Sequence, residues 1–300
     1  MAQMLPIASV NPVDKTYPKF LREIADPPFP LYFIGELPSD SDVNIAVVGT
    51  RKATHDGLLI ARQIANRLAR AGAVVVSGLA LGIDGAAHEG AVAAGGRTIA
   101  VLATGLDSIY PRSHENLANS ILEKGGGIVS EYPAGTPGLP HQFLERNRII
   151  SGLCIATVVI EAPIHSGALV TAKFALEQGR ELFVVPGPAN HPNYRGSHML
   201  LRSGARLVTS AEEIFEDLED AMANCQLTLP LSEKKEPETG TENDVDSLIM
   251  NAFKNSAEPL TVDNLTENTK LELQVVNQRL TFLILKGIIE EKAGRFRLKE

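Results

Sequence analysis

Three cations, Arg51, Arg112 and Lys173, sit in or just beyond short loops rich in glycine and hydroxyl side chains. The loops are Val48-Gly49-Thr50-Arg51, Ser77-Gly78-Leu79-Ala80-Leu81-Gly82-Ile83-Asp84-Gly85, Thr104-Gly105-Leu106-Asp107 with Tyr110-Pro111-Arg112, and His165-Ser166-Gly167-Ala168 running on to Lys173. Gly49, Gly78, Gly82 and Gly167 let a ligand approach the backbone, and Thr50, Ser77 and Ser166 can hydrogen-bond a phosphate oxygen. That combination binds anions. Arg146-Asn147-Arg148 lies further along the chain. Its arginines could pair with Glu131 and Glu145; beside the other cations, a bidentate grip on phosphate is the competing reading.

Other chemistries fit less well. Only Gly49 stands where a dinucleotide fingerprint needs G-x-G-x-x-G, and no phosphate loop of the G-x-x-x-x-G-K-[ST] type occurs. The seven histidines form no ligand spacing, and Cys154 and Cys225 are far apart, so neither metal nor cofactor is expected. Asp84 and His88, one helical turn apart, could do acid–base work. The reading we favour is plainer: Asp84 caps the helix after the glycine loop and His88 packs beside it. Neither Ser77 nor Ser166 lies in a G-x-S-x-G elbow, and no catalytic residue is assigned.

Each of the four loops ends a short apolar, β-branched run and opens a helical pattern, which implies buried parallel strands in βαβ units. In such sheets the strand C-terminal ends open on one edge, so all four loops crowd one rim. The patterning predicts strands near 44–48, 73–76, 97–103, 127–130, 155–160, 181–185 and 206–208. Helices fall near 56–70, 84–94, 113–124, 142–151, 167–178 and 196–203, and Ser210 to Glu213 reads as a capping box for one more. The expected fold is a doubly wound, mostly parallel α/β sheet over 43–220. Residues 1–42, dense in proline, read as an extended lead-in with one short helix and no core of its own. An acidic linker follows at 221–243. Three helical patterns and a hairpin around Ala293-Gly294 then predict a small winged-helix domain over 244–300.

The net charge of −8 seems to disfavour a polyanionic ligand, but residues 211–246 hold 12 acidic and 2 basic side chains and leave the rest at +2. A near-neutral domain with its cations on one rim can bind a polyanion, because local potential governs encounter. Aromatic residues are few and tryptophan is absent, so base stacking is not the main term; Tyr110, Phe143 and Tyr194 are the candidates near the loops. No segment reads as a membrane helix or a secretion signal, and a cytoplasmic protein is expected.

From Tyr17 to about Leu218 the chain resembles the DprA/Smf family of bacterial DNA-processing proteins. The resemblance is carried by Tyr17-Pro18 through Asp26-Pro27-Pro28, Val48-Gly49-Thr50-Arg51, Ser77-Gly78-Leu79 with Gly82-Ile83-Asp84, Gly105-Leu106-Asp107 with Tyr110-Pro111, Arg146-Asn147-Arg148-Ile149-Ile150-Ser151-Gly152-Leu153, Ser166-Gly167-Ala168-Leu169 and Val185-Pro186-Gly187. It implies an extended Rossmann-like domain that binds single-stranded DNA, forms a homodimer and helps load the RecA recombinase in transformation or recombination. On matching positions Arg51 and Arg112 would contact the DNA backbone, the Ser77–Gly82 loop would line the pocket, and Lys173 with Arg146 or Arg148 would assist. The dimer face would fall on His198, Met199 and Leu207. Many relatives carry a basic residue where this chain has Leu81, and a helical domain often precedes their core, where only about forty residues precede Asn44 here.

Two other classes were weighed. Rossmann-like enzymes of the lysine-decarboxylase-like group cleave nucleotide derivatives with a P-G-G-x-G-T-x-x-E block, but Ala162 to Thr171 lacks its glycine pair and downstream Glu. A transcription regulator would read duplex through the winged helix, with Gln274, Asn277, Gln278 and Arg279 on its recognition helix.

Overall fold

In the computed structural model, the β-branched run Asn44–Val48 forms strand β3, buried on both faces at the centre of a nine-stranded sheet. The structure describes residues 6–223 and, beyond them, 248–253, 256, 259–269, 271, 276, 279–280, 283–284, 288–292 and 295–298. The sheet comprises β1 (Ala8–Val10), β2 (Leu31–Gly35), β3, β4 (Val74–Ser77), β5 (Thr98–Leu102), β6 (Gly127–Ser130), β7 (Ala156–Val159), β8 (Glu181–Val184) and β9 (Arg206–Leu207). Their order is β1-β2-β6-β5-β4-β3-β7-β8-β9. From β3 the chain winds outward through β4, β5 and β6, then returns to lay β7, β8 and β9 on the other side, all in parallel. The winding direction reverses between β3 and β7. In doubly wound sheets the loops diverge at that reversal and leave a crevice at the strand C-terminal ends.

Alternation along β3 assigns its two faces. Ile45 and Val47 pack with α2 (His55–Arg70), α3 (Ile83–Ala93) and α9 (Ala211–Ala223), whereas Ala46 and Val48 face the opposite layer. That second layer holds α6 (Asn147–Gly152) and α7 (Gly167–Glu177), and it also holds the lead-in. Here the sequence expectation is corrected. Residues 1–42 supply β1 and β2, antiparallel additions that pair Tyr32 with Ser130 on β6, and Tyr17, Leu21 and Leu31 are fully buried. Leu21 lies in α1 (Lys19–Arg22), the short helix foreseen, and the Tyr17 hydroxyl donates to Pro28 O at 3.0 Å. The prolines break the segment into pieces too short to show a period, yet its apolar residues find a core.

The remaining helices are α4 (Glu115–Glu123), α5 (Pro140–Glu145) and α8 (Arg195–Arg202). The helix expected over 142–151 is therefore two helices, α5 and α6, divided at Arg146. Contacts divide the chain into two units, Met1–Ser232 and Glu233–Glu300. In the second, Ile249, Phe253, Leu265, Leu280 and Phe296 share a core, β10 (Ile289–Lys292) pairs antiparallel with β11 (Arg295–Leu298), and Thr261 caps the helix Val262–Thr269. The linker expected over 221–243 lies outside the described residues from 224 onward, as do Gln274, Asn277, Gln278 and the Ala293-Gly294 turn.

His88 shows how tightly α3 is sealed to the sheet. Thr98 donates its hydroxyl proton to Val75 O at 2.6 Å, so His88 Nδ1, 2.8 Å away, is the donor to Thr98, and Nε2 is left buried without a partner. Burial, reinforced by the charges of His114 and Arg146, holds the imidazole pKa down at about 3. The plainer reading of Asp84 and His88 is met by His88, which packs against the sheet, but not by Asp84: α3 has Gly82 at its N-cap with no side-chain cap, and Asp84 accepts from Gly78 N–H instead. A histidine depressed in the folded state contributes stability that is complete above its unfolded pKa and lost as pH falls toward the folded one. Urea unfolding at pH 5 is expected to give a stability about 2 kcal/mol below that at pH 7, and His88→Asn should flatten that dependence. An unchanged slope in the variant would assign it elsewhere.

Candidate nucleic-acid interface

The loops after β3, β5 and β7, with the Ala80–Gly85 turn after β4, enclose a cleft of about 610 Å³ at the sheet's C-terminal edge, where the winding reverses. Gly49, Thr50, Arg51 and Lys52 form one wall, and Ser166, Gly167 and Ala168 form the other. The first wall is held from three directions. Thr50 N–H donates to Glu161 O at 2.8 Å, Thr50 O accepts from Ile83 N–H at 3.2 Å, and Thr54 caps α2 by accepting from Gly57 N–H at 3.0 Å. Arg51 projects from this fixed backbone into solvent with its guanidinium 4.9 Å from the centre of the Phe143 ring, and Phe143 lies 5.3 Å from Tyr110. Across the cleft Ser166 caps α7, whose positive end faces the opening. A cation, two rings and a helix N-terminus thus surround one opening. That set suits a phosphate with a planar group attached.

The floor is a buried electrostatic knot. Arg146 is enclosed, donating through Nη1 to Gly78 O at 2.9 Å and to Val101 O, and through Nε to Asn147 Oδ1 at 3.2 Å. Asp84 accepts from Gly78 N–H at 3.2 Å. A Cβ on Gly78 would stand 2.6 Å from Arg146 Nη2 and 2.7 Å from Asp84 Oδ2, so only glycine fits between them. Burial pulls the Arg146 pKa down to about 10 against the attraction of Asp84. It pushes the Asp84 carboxyl up against Arg146 and the Gly78 and Gly49 N–H groups. Asn147 Nδ2 donates to Gly167 O at 3.2 Å, carrying the knot to the far wall.

From residue 8 to residue 219 the sequence matches the family described as DNA recombination-mediator protein A. The chain belongs to that family. It is 48% identical over 203 residues to Protein Smf of Escherichia coli, covering 68% of this chain and 54% of that protein. To the DNA processing protein DprA of Bacillus subtilis it is 42% identical over 227 residues, covering 75% of this chain and 74% of the relative. The chain thus spans about half of one relative and three quarters of the other. Among solved structures, DprA of Streptococcus pneumoniae superposes with a TM-score of 0.66 at 40% identity, covering 72% of this chain and 75% of that one. The Helicobacter pylori DprA structure, described as showing a single-stranded DNA binding mode, gives 0.63 at 29% identity and covers 72% and 97%.

Within this cleft the sequence-predicted residues part company. Gly49, Thr50, Arg51, Ser166 and Gly167 line the cleft together. Gly78 backs its floor, and Gly82 lines a neighbouring depression. Three expectations are corrected. Ser77 is fully buried with its hydroxyl donated to Val47 O at 2.6 Å, so it ties β4 to β3 rather than meeting a ligand. Arg146 is spent on the floor's carbonyls. Arg148 makes a bidentate pair with Glu131 at 2.7 and 2.8 Å and bonds Asp26 as well, locking α6 to β6 and the lead-in. Arg112 and Lys173 stand outside the cleft walls at 92% and 75% side-chain exposure, each beside a glutamate, Glu115 at 3.4 Å and Glu177 at 3.5 Å. Tyr194 is buried and unavailable for stacking.

Sequence reasoning missed Glu161 as the anchor of the first wall. Its carboxylate accepts from Thr54 N–H at 3.0 Å, Thr54 Oγ1, Asn193 Nδ2 at 2.9 Å and Tyr194 OH at 2.9 Å. Burial pushes its pKa up, but these donors outweigh it and hold the group below the usual carboxylate range. The available signal was an acidic residue directly following the buried run of β7. The two arginines of this site should separate cleanly in mutants. Arg146→Met leaves Asp84 and two buried carbonyls uncompensated and should cost about 3–5 kcal/mol in urea unfolding. Arg51→Ala should stay within about 0.5 kcal/mol of the unmutated protein while abolishing the cation over Phe143. Equal stabilities for both variants would remove Arg146 from the floor.

Proposed function

We propose that the protein binds single-stranded DNA through its backbone at this cleft and, as a homodimer, delivers the strand to the RecA recombinase in transformation or recombination. The observation that carries the reading is Arg51, held over Phe143 at the mouth of the cleft by a backbone bonded to Glu161 and Ile83. The Helicobacter pylori relative's single-stranded DNA binding mode supports the choice of ligand. Extended single strands present both phosphates and unstacked bases, and the opening offers a partner to each. The protein acts by binding rather than by catalysis, since the carboxyls nearest the cleft, Asp84 and Glu161, are committed to hydrogen bonds from the backbone and from fixed side chains. We place it in the cytoplasm, where RecA works; no helix among the described residues is long and apolar enough to cross a membrane.

The homodimer reading rests on the sheet edge. β9 pairs with β8 alone among the described strands, and its Leu207 is 55% exposed. Met199 on the neighbouring α8 is 53% exposed. An open strand beside an apolar helix face is self-complementary about a two-fold axis. His198, half-buried on the same helix, has its Nε2 3.1 Å from Gly187 O and its ring stacked on Tyr194.

Titration of labelled oligonucleotides should show single strands bound more tightly than matched duplex, with affinity falling by about 0.7 log units per log unit of salt for each phosphate neutralised. Arg51→Glu should weaken that binding without unfolding the domain, and salt-insensitive binding would reject the reading. In sedimentation, the double variant Met199→Glu with Leu207→Glu should be a folded monomer with weaker oligonucleotide binding, because two linked clefts raise effective concentration. A monomeric unmutated protein at micromolar concentration would refute the dimer.

A further inference from the structure

Arg51 and Lys52 line two hollows, not one. On the side away from Ser166 and Gly167 they form a wall of a second depression of about 270 Å³, completed by Arg62 on α2, Gly82, Glu89 on α3, and His114. Its character differs from the cleft's. No phenyl, phenol or indole ring lines it, and its walls are mainly charged or backbone. Arg62 and Glu89 satisfy each other at 2.7 Å, which leaves Arg51 and Lys52 as the depression's surplus charge. His114 Nδ1 lies 2.9 Å from Leu79 O and donates to it, so Nε2 is the nitrogen left for a ligand. The hollow is kept open by Gly82, whose φ is +81° and whose Cβ would lie 2.4 Å from Thr50 O. A side chain there would fill the space and push the two loops apart.

We propose that this second depression receives the backbone phosphate of a single strand that continues out of the cleft over the Arg51–Lys52 ridge. The inference rests on the reading of the cleft as a single-strand site. Both hollows share the ridge, so a strand occupying both passes its negative backbone over the two cations common to them. The cleft beside Phe143 and Tyr110 takes a nucleotide, and the charged depression takes the phosphate that follows it. Glu89 is then an internal competitor, because it holds the guanidinium of Arg62 that an arriving phosphate would recruit.

The competition gives the test opposite signs. Arg62→Ala and Glu89→Gln both fall at exposed positions and leave the fold intact. Fluorescence anisotropy would compare a thymidine trinucleotide, short enough for the cleft alone, with a longer oligothymidylate. Arg62→Ala should weaken the longer strand about fivefold and lower its salt slope by about 0.7, with the trinucleotide unchanged. Glu89→Gln should tighten the longer strand by a similar factor, whereas Glu177→Gln, an exposed carboxylate paired on α7, should not. Equal effects of Arg62→Ala on both strands, or an equal gain from Glu177→Gln, would overturn the second site while leaving the cleft in place. An unmutated protein that binds neither strand would instead defeat the reading of the cleft itself.

Discussion

The rim rests on one buried contact, Gly78 gripped between Arg146 and Asp84. A guanidinium in a protein interior is costly to desolvate and is retained only where enough acceptors surround it. Here the carbonyls of Gly78 and Val101 and the Asn147 side chain surround it, and they belong to the ends of β4 and β5 and the start of α6. Asn147 extends the connection to the start of α7. Four chain segments that meet nowhere else in sequence are thereby held at one depth below the cleft. The exposed Arg51 needs a rigid base if its charge is to be placed rather than merely present, and this contact supplies one. Preorganisation of that kind spares the ligand the entropy of ordering the loop.

A second anchor, Glu161, does for the side wall what Arg146 does for the floor. It gathers Thr54 at the start of α2 and the Asn193–Tyr194 segment that leads into α8. Asn193 also donates to Lys52 O at 2.9 Å, so the ridge between the two hollows is tied to the same segment. The charge on the rim is thus small in number but fixed in position, which reconciles anion binding with a chain whose net charge is −8.

Strands of the parallel sheet were legible because Ile45–Val48, Val74–Val76 and Ile99–Leu102 are continuous apolar runs, and burial on both faces demands such runs. Glycine loops marked the rim for a related reason, since Gly49, Gly78 and Gly82 sit where chains touch. What the pattern could not show was direction. Ser77, Arg146 and Arg148 have the residue types of a phosphate site, and their side chains turn inward because carbonyls or carboxylates lie there, a fact of tertiary geometry. Arg51 and Arg148 look alike in sequence and differ only in whether an acidic partner lies within reach. The lead-in's prolines hide its strands: β1 is a short edge strand and β2 lies between it and β6, nearly a hundred residues away, on which their burial depends.

That last pairing sets an order of assembly. Tyr32 cannot meet Ser130, nor Ile45 meet Ala156, until about half of the chain has been made. During synthesis β1 and β2 can pair as a hairpin but have no sheet to join, and β3 waits with one edge unfilled. Each edge is covered only when its own long loop closes, and closing it carries an entropic cost that local contacts do not offset. The growing chain therefore exposes β-branched strand edges for much of its synthesis, a period in which pairing with another chain competes with pairing within its own. The first strands made wait for β6 before they can join the sheet.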